Sequence, residues 1–421
     1  MSAARAQRRT ARGEAAQAPF NVIVVSFDTL RPDYLHCYGH PKPLSPALDE
    51  LAARGVLFTD AVANCGWTLP QHVTLLTGVL PLKHRLIYVR RRCHLAARLQ
   101  TLAEIFSQNG YLTFGFANLN PYGGAWRYGF HRGFRSYSDL FPYNNGFERI
   151  VEPIVQSLRL AGARPFFIYI HTNDTHEPFA AAEPFGSRWG ATYQNRYEGE
   201  VSYVDHHFGL ILEKLERLGV AERTLVVATS DHGTEFQEHG FLEKKLNLYE
   251  EILRIPLIMT LPQLLPAGKR VQGLCQTVDI APTILEICSL RPPKQMDGES
   301  LLARMLGGRS APPGTVFAHT LHEAMYMYEH FCARTARYKF IRTVPFFRRT
   351  DKLEGNVAER FARLDRVAQQ RGGVWRELYD LEHDLGEQRN IVAEAARIVR
   401  QLERKLDAWV RSCGYEPRRP H

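Results

Sequence analysis

Long apolar runs are missing from this sequence: none reaches the roughly 18 residues that a membrane-spanning helix needs, so no membrane partner is expected. Cysteine is scarce. Its seven copies are odd in number and scattered, without the paired short spacings of a disulfide framework or a zinc site. The first eighteen residues are rich in Ala, Arg and Gln and lack an apolar stretch of signal-peptide length. Together these absences predict a cytoplasmic, reduced protein. Negative charge is also in deficit, with 44 Asp and Glu against 53 Lys and Arg, a formal charge of +9. The excess gathers in runs at Arg8-Arg9, Arg90-Arg91-Arg92, Arg348-Arg349 and Arg418-Arg419, which fit an anionic substrate or simply a solvated surface. No nucleic-acid-binding module stands beside them, and no nucleic acid is expected as a partner.

What is present is ordinary globular material. A chain of 421 residues with 45% hydrophobic content can bury one large core, or a main core and a smaller one. Short β-branched runs alternate with longer amphipathic segments. Strands are predicted at 22–27, 112–116, 166–170, 225–230 and 256–259, and helices at 46–53, 70–77, 99–108, 147–160, 200–218, 279–288 and 301–306. That alternation predicts an α/β fold with a buried, mostly parallel sheet flanked by helices. After about residue 312 the texture changes to short strands at 315–319, 331–334, 338–342 and 377–379, closed by a helix at 391–411. The predicted organisation is therefore a disordered basic segment (1–18), a catalytic domain (19–312) and a smaller C-terminal α+β subdomain (313–421). The charged stretch 348–371 reads as a helix or as an ordered insertion.

Chemistry collects at strand ends. The first strand runs into Asp28, and a later one runs into Asp231-His232-Gly233. The C-terminal edge of a parallel sheet is where open α/β folds bind ligands. Asp28, Asp231 and His232 offer two oxygens and a nitrogen to zinc or another divalent ion, although either aspartate alone would serve as a loop cap. A third strand ends at His171 and leads into Asp174-Thr175-His176, where an imidazole is a candidate proton donor or a solvated loop histidine. Thr68-Leu69-Pro70-Gln71-His72 places a hydroxyl where a helix should begin. The helix dipole favours an anion there, and the same pattern makes an ordinary N-cap. One of Lys244 and Lys245 is a candidate to hold an anion, or both belong to a surface charge pair. Tyr122, Trp126, Tyr128 and Phe130 in the loop 120–134 wall a pocket or pack as core.

Taken in order, these motifs resemble those of the sulfatase branch of the alkaline phosphatase superfamily, nearly end to end. Asp28-Thr29-Leu30-Arg31-Pro32-Asp33 is similar to its opening metal motif, and Thr68-Leu69-Pro70-Gln71-His72 with Thr77-Gly78 to its nucleophile motif. Asp174-Thr175-His176-Glu177-Pro178 is similar to its active-site histidine segment, and Ser230-Asp231-His232-Gly233 to its second metal motif. Lys245, four residues before Tyr249-Glu250, stands as the family's active-site lysine does. Asp279, Asp297-Gly298, Arg337-Tyr338-Lys339 and Tyr379-Asp380 resemble later signatures. The resemblance implies an alkaline-phosphatase-like three-layer sandwich and a metal-dependent hydrolase.

The departures are specific. A typical sulfatase oxidises a cysteine, sometimes a serine, in Cys-x-Pro-x-Arg to formylglycine. Here Thr68 stands in that place, and its Cβ methyl bars the same aldehyde. Cys65 is no substitute, because the residue two beyond it is Trp67 rather than proline. His72 takes the arginine position, Thr29 replaces one of two adjacent aspartates, and the lysine-and-histidine segment after 112–116 is absent, with Phe116 and Asn118 nearby. His232 stands where many calcium-dependent sulfatases have asparagine. Fewer carboxylates and an added imidazole favour zinc over manganese or calcium. A threonine nucleophile resembles that of phosphoethanolamine transferases and lipoteichoic acid synthases.

The expected reaction follows from that set. Asp28, Asp231, His232 and Thr68 hold one divalent ion, and Thr68 attacks phosphorus or sulfur of a small anionic ester. Lys245 and His72 meet the developing charge, and His176 protonates the departing alcohol. A threonine ester lacks formylglycine's elimination route, which favours phosphate over sulfate. Two rivals are transfer of the group to an alcohol acceptor and a catalytically silent, anion-binding protein.

Overall fold

The computed structural model describes residues 19–87, 94–117, 128–139, 145–240, 242, 247–308, 311–321, 328–345 and 374–417. The segment 1–18, the four arginine runs, Asn118, Tyr122, Trp126, Lys244, Lys245 and the stretch 348–371 lie outside the described residues.

The strands of the main sheet are β1 (Asn21–Phe27), β2 (Val56–Val62), β3 (Leu112–Ala117), β4 (Ser136–Ser138), β5 (Phe166–Thr172), β6 (Thr224–Ser230), β7 (Arg254–Ile255), β8 (Leu257–Thr260) and β9 (Lys269–Gln276). They lie in the order β4-β3-β5-β1-β6-β8-β2-β7, with β9 also on β2. From β4 to β6 every pairing is parallel, whereas β8 runs antiparallel to both neighbours. All seven residues of β1 are buried, as a strand covered on both faces must be.

Alternation along β1 sets the layers. Ile23, Val25 and Phe27 pack with helices α1 (Pro46–Ala53), α4 (Phe147–Ala161) and α5 (Tyr193–Arg217), through Leu48, Leu51, Ile150, Ile154, Val204 and Phe208. Val22 and Val24 face α2 (Thr68–Thr77), α3 (Leu102–Gln108) and α6 (Ile280–Ile287), through Leu75, Leu76, Phe106 and Ile284. Each such aliphatic side chain contributes about 1.5–3 kcal/mol on burial. The expected three-layer α/β sandwich is present.

The C-terminal strands β10 (Val316–Thr320), β11 (Tyr328–Arg334), β12 (Tyr338–Pro345) and β13 (Trp375–Asp380) form an antiparallel sheet. Its residues Phe331, Phe340 and Leu378 pack on α7 (Ala396–Ser412) through Leu402 and Leu406, while Ala318, Cys332 and Ile341 join the main core. Polar contacts also tie the two parts. Arg334 grips Glu250 with two bonds of 2.9 Å, and Lys339 Nζ reaches Glu250 Oε1 and Glu387 Oε1 at 3.0 Å each. All four side chains are buried. Burial alone would lower the Lys339 pKa; the Glu387 and Glu250 carboxylates outweigh it and push it up to about 12.

Several boundaries differ from those the sequence predicts. Helix α3 begins at Leu102 rather than 99, because Thr101 and Glu104 form a reciprocal capping box. Helix α5 starts at Tyr193 rather than 200, capped by Thr192 through Asn195 N at 3.2 Å. Strand β2 was not expected; Thr59-Asp60 interrupts its apolar run where the register shifts beside Phe58. Strand β9 opens on Lys269-Arg270 and likewise carries little apolar signal. Among the described residues, no helix is long and apolar enough to cross a membrane.

Glu200 on α5 makes the fold sensitive to pH. Its Oε1 accepts from Ala180 N at 2.5 Å, and burial, with Asp174 nearby, raises its pKa from 4.5 to about 9. Folded protein therefore holds a proton that the unfolded chain releases. The sign follows: this contribution is fully present below about pH 4.5 and is lost as pH rises towards 9. Glu200→Gln should flatten the decline of melting temperature across that interval relative to the parent, and thermal scans in a pH series measure it. Equal slopes would contradict the assignment.

Candidate active site

Three neighbouring strands end side by side. Phe27 of β1 pairs in register with Thr172 of β5 and Ser230 of β6, so the residues that follow meet at one edge. Asp28, Asn173 and Asp231 therefore stand together, and local bonds lock them. Ser230 Oγ donates to Phe27 O (2.7 Å) and His232 O (2.6 Å), while Thr175 Oγ1 donates to Asp28 O at 2.5 Å. Asn173 Nδ2 donates to Asp28 Oδ2 at 2.8 Å. Gly233 is required by close packing: a Cβ there would lie 2.0 Å from Glu251 O.

The tautomer of His232 is fixed by its surroundings. Its Nδ1 sits 2.8 Å from the carbonyl of Gly233, which can only accept, so Nδ1 carries hydrogen and Nε2 is the nitrogen that could meet an ion. That Nε2 lies 3.3 Å from Thr68 Oγ1, 3.4 Å from Asp231 Oδ2 and 3.6 Å from Asp28 Oδ1. Neighbouring ligands of a tetrahedral ion with bonds of about 2.0–2.2 Å stand roughly 3.3–3.6 Å apart. The longer bonds and higher coordination of calcium give similar edges, so spacing alone does not choose the ion. The residues fit a divalent cation.

Thr68 differs from the helix cap that its position first suggests. It is the first helical residue of α2, with Trp67 at the N-cap, and its side chain is fully buried among the site groups. Gln71 pins that first turn to the Asp231 loop: its Nε2 donates to Asp231 O at 2.7 Å and Thr277 Oγ1 at 3.2 Å. Thr29 adopts φ 59°, uncommon for a β-branched residue, and turns its hydroxyl to Thr175 O. Its backbone N–H donates to Asp231 Oδ1 at 3.2 Å.

The remaining predicted residues sit around this cluster. His72, also on α2, meets Tyr169 OH through Nδ1 at 2.6 Å and packs edge-on against His171, with ring centroids 4.2 Å apart. Burial, with Tyr137, Asp231 and Asp28 nearby, raises the Tyr169 pKa well above its usual value, so the phenol stays neutral. His176 lies on the loop after β5; its backbone N–H donates to Asn173 O, and its Nδ1 to Glu177 O, both at 2.8 Å. Asp174 instead holds the start of α4 through Gly146 N (2.8 Å) and Phe147 N (2.9 Å). Tyr128 and Phe130 are buried beside Trp67 and Val73 as core. Cys65 belongs to the same core, and burial pushes its thiol up to about 12, which removes it as a nucleophile. Sequence reasoning assigned no role to His171, Asn173, Gln71 or Tyr169. His171 at a strand terminus was the visible signal; the others act through register.

A family model described as Sulfatase matches residues 20–289. The chain belongs to the sulfatase family. A second model, N-sulphoglucosamine sulphohydrolase, C-terminal, matches residues 237–356 of this sulfatase-family chain. It is 28% identical to N-acetylgalactosamine-6-sulfatase of Canis lupus familiaris over 70% of its own length and 67% of that protein's. Its fold is similar to that of the phosphonate monoester hydrolase of Agrobacterium radiobacter, with a TM-score of 0.74, 20% identity and coverage of 94% and 96% of the two chains. A protein solved with its substrate D-glucosamine-2-N,6-O-disulfate gives a TM-score of 0.74 at 18% identity, covering 94% of this chain and 98% of that one. Membership of that family makes the chain a hydrolase of the sulfatase type.

Proposed function

We propose that the chain is a divalent-metal-dependent hydrolase of small phosphate or sulfate esters, with phosphate favoured, acting through a covalent intermediate on Thr68. The observation that carries this reading is the meeting of Thr68 Oγ1 with His232 Nε2 at 3.3 Å, inside the buried Asp28, Asp231 and His232 group. A divalent ion there, zinc before manganese or calcium, supplies Lewis acidity that lowers a hydroxyl pKa and draws charge from ester oxygens. Thr68 loses its hydroxyl proton to solvent, and its Oγ1 forms the new bond to phosphorus or sulfur as the alcohol departs in line. The Nδ1 proton of His176 is committed to Glu177 O, so the proton passed to the leaving oxygen comes from Nε2. His72 and, on the sequence evidence, Lys245 meet charge on the non-bridging oxygens. Water then gives a proton to His176 Nε2, attacks the central atom and breaks its bond to Thr68, whose oxygen regains a proton from solvent. A threonine ester offers no elimination route, which makes attack at phosphorus the easier release.

The sulfatase relative and the fold shared with a phosphonate monoester hydrolase both support ester cleavage. The test is metal analysis of purified protein beside rates on nitrophenyl phosphate monoesters, diesters and sulfates. Phosphate cleavage should exceed sulfate cleavage, and Asp231→Ala should lose both the ion and the activity. Protein without an ion or any esterase activity, or sulfate cleavage untouched by Thr68→Ala, would overturn the reading.

A further inference from the structure

We infer that His72, His171 and Asp231 form a second cation site beside the first, giving a centre of two ions that share the Asp231 carboxylate. This inference rests on the metal-dependent reading above and adds a ligand set to it.

The nitrogen and oxygen atoms of His72, His171 and Asp231 all lie within 4.8 Å of one another, as do those of Asp28, Asp231 and His232. All five residues are buried. The tautomer of His171 is fixed as that of His232 is. Its Nδ1 lies 3.1 Å from Ser26 O, a carbonyl that can only accept, so Nδ1 carries hydrogen and Nε2 is the nitrogen assigned to the ion. That nitrogen faces the carboxylates, 3.9 Å from Asp28 Oδ2, beyond direct hydrogen-bond reach. Tyr169 holds the His72 ring by Nδ1, so Nε2 is the His72 nitrogen assigned to the ion. Strand β5 thus supplies both the ligand His171 and, two residues earlier on the same face, the phenol that orients His72.

A contrasting group elsewhere shows what a protonated cluster looks like. Glu235, His239 and Glu251 also converge, but His239 Nδ1 lies 2.5 Å from Glu251 Oε1. Two ligands of one ion cannot approach so closely, and that pair shares a proton instead. In the two-ion arrangement the ion held by His72, rather than the imidazole itself, would meet the non-bridging oxygens, and that added positive charge suits a phosphate dianion better than a sulfate monoanion.

Stoichiometry and coupling test the inference without relying on turnover. Purified protein is loaded with Mn²⁺, dialysed, and measured by elemental analysis and electron paramagnetic resonance. The expected parent result is two ions per chain with an exchange-coupled spectrum. His171→Ala and His72→Gln should each retain one ion, with the hyperfine pattern of an isolated centre. One ion in the parent, unchanged in both variants, overturns the second site and leaves the proposed function standing. Two ions retained in both variants place the extra ion elsewhere and also overturn it, as does loss of every ion in both. No ion in the parent overturns the inference and the metal-dependent reading together.

Discussion

Thr68→Ala is expected to lower kcat/KM by about 10³-fold or more while leaving bound metal largely in place. The substitution removes only a hydroxyl and a methyl from a fully buried position at the start of α2. The carboxylates and the imidazole of the Asp28–Asp231–His232 group remain, and so does the Gln71 bond that fixes the helix against Asp231 O. What disappears is the oxygen that would carry the transferred group. Thr68→Ser keeps that oxygen and should retain most of the turnover that alanine loses. Steady-state kinetics with metal content measured on the same samples separates the cases. Full activity in the alanine variant, with its ion present, would remove Thr68 from the mechanism.

Lys339→Met is expected to destabilise the protein by about 3–5 kcal/mol, since it strands buried carboxylates. Lys339 is fully buried between Glu250 and Glu387, and Arg334 already commits both guanidinium bonds to Glu250. Glu250 sits next to the strand-forming Arg254-Ile255 of the main sheet, while Lys339 and Arg334 lie on β12 and β11. The loss should therefore loosen the C-terminal sheet from the main core first. Denaturant unfolding followed by tryptophan fluorescence measures it, because Trp375 and Trp409 lie in the C-terminal part and Trp67 in the main one. A shift below about 1 kcal/mol, the range of an exposed pair, would mean the cluster does not act as a buried ion network.

Asp28, Asp231 and His232 were legible because each follows an apolar strand, and parallel strands deliver their final residues to one edge. Thr68 was legible as a hydroxyl at a helix start, though its place inside the helix rather than at the cap was not. The helices 46–53 and 147–161 declare themselves by period. Strand β2 does not, because a polar pair breaks it at the bulge. Asn173, Gln71 and Tyr169 carry no local signal of function. Their roles arise from the register of β1 with β5 and from the docking of α2 on the Asp231 loop, both tertiary facts. His171 was visible as a strand terminus, but its role depends on which ring nitrogen carries hydrogen, which Ser26 O decides from another strand.

The most direct test of the central claim is to catch the intermediate. The His176→Ala holoenzyme, mixed with a nitrophenyl phosphate and quenched in acid during turnover, would be digested and its peptides weighed. An activated leaving group needs little help from His176 to depart, whereas release of the adduct loses an acid–base group, so the intermediate should accumulate. The account predicts a phosphoryl group on the peptide containing Thr68, located at that residue. Turnover with Thr68 unmodified throughout, or with the group on another side chain, would contradict it.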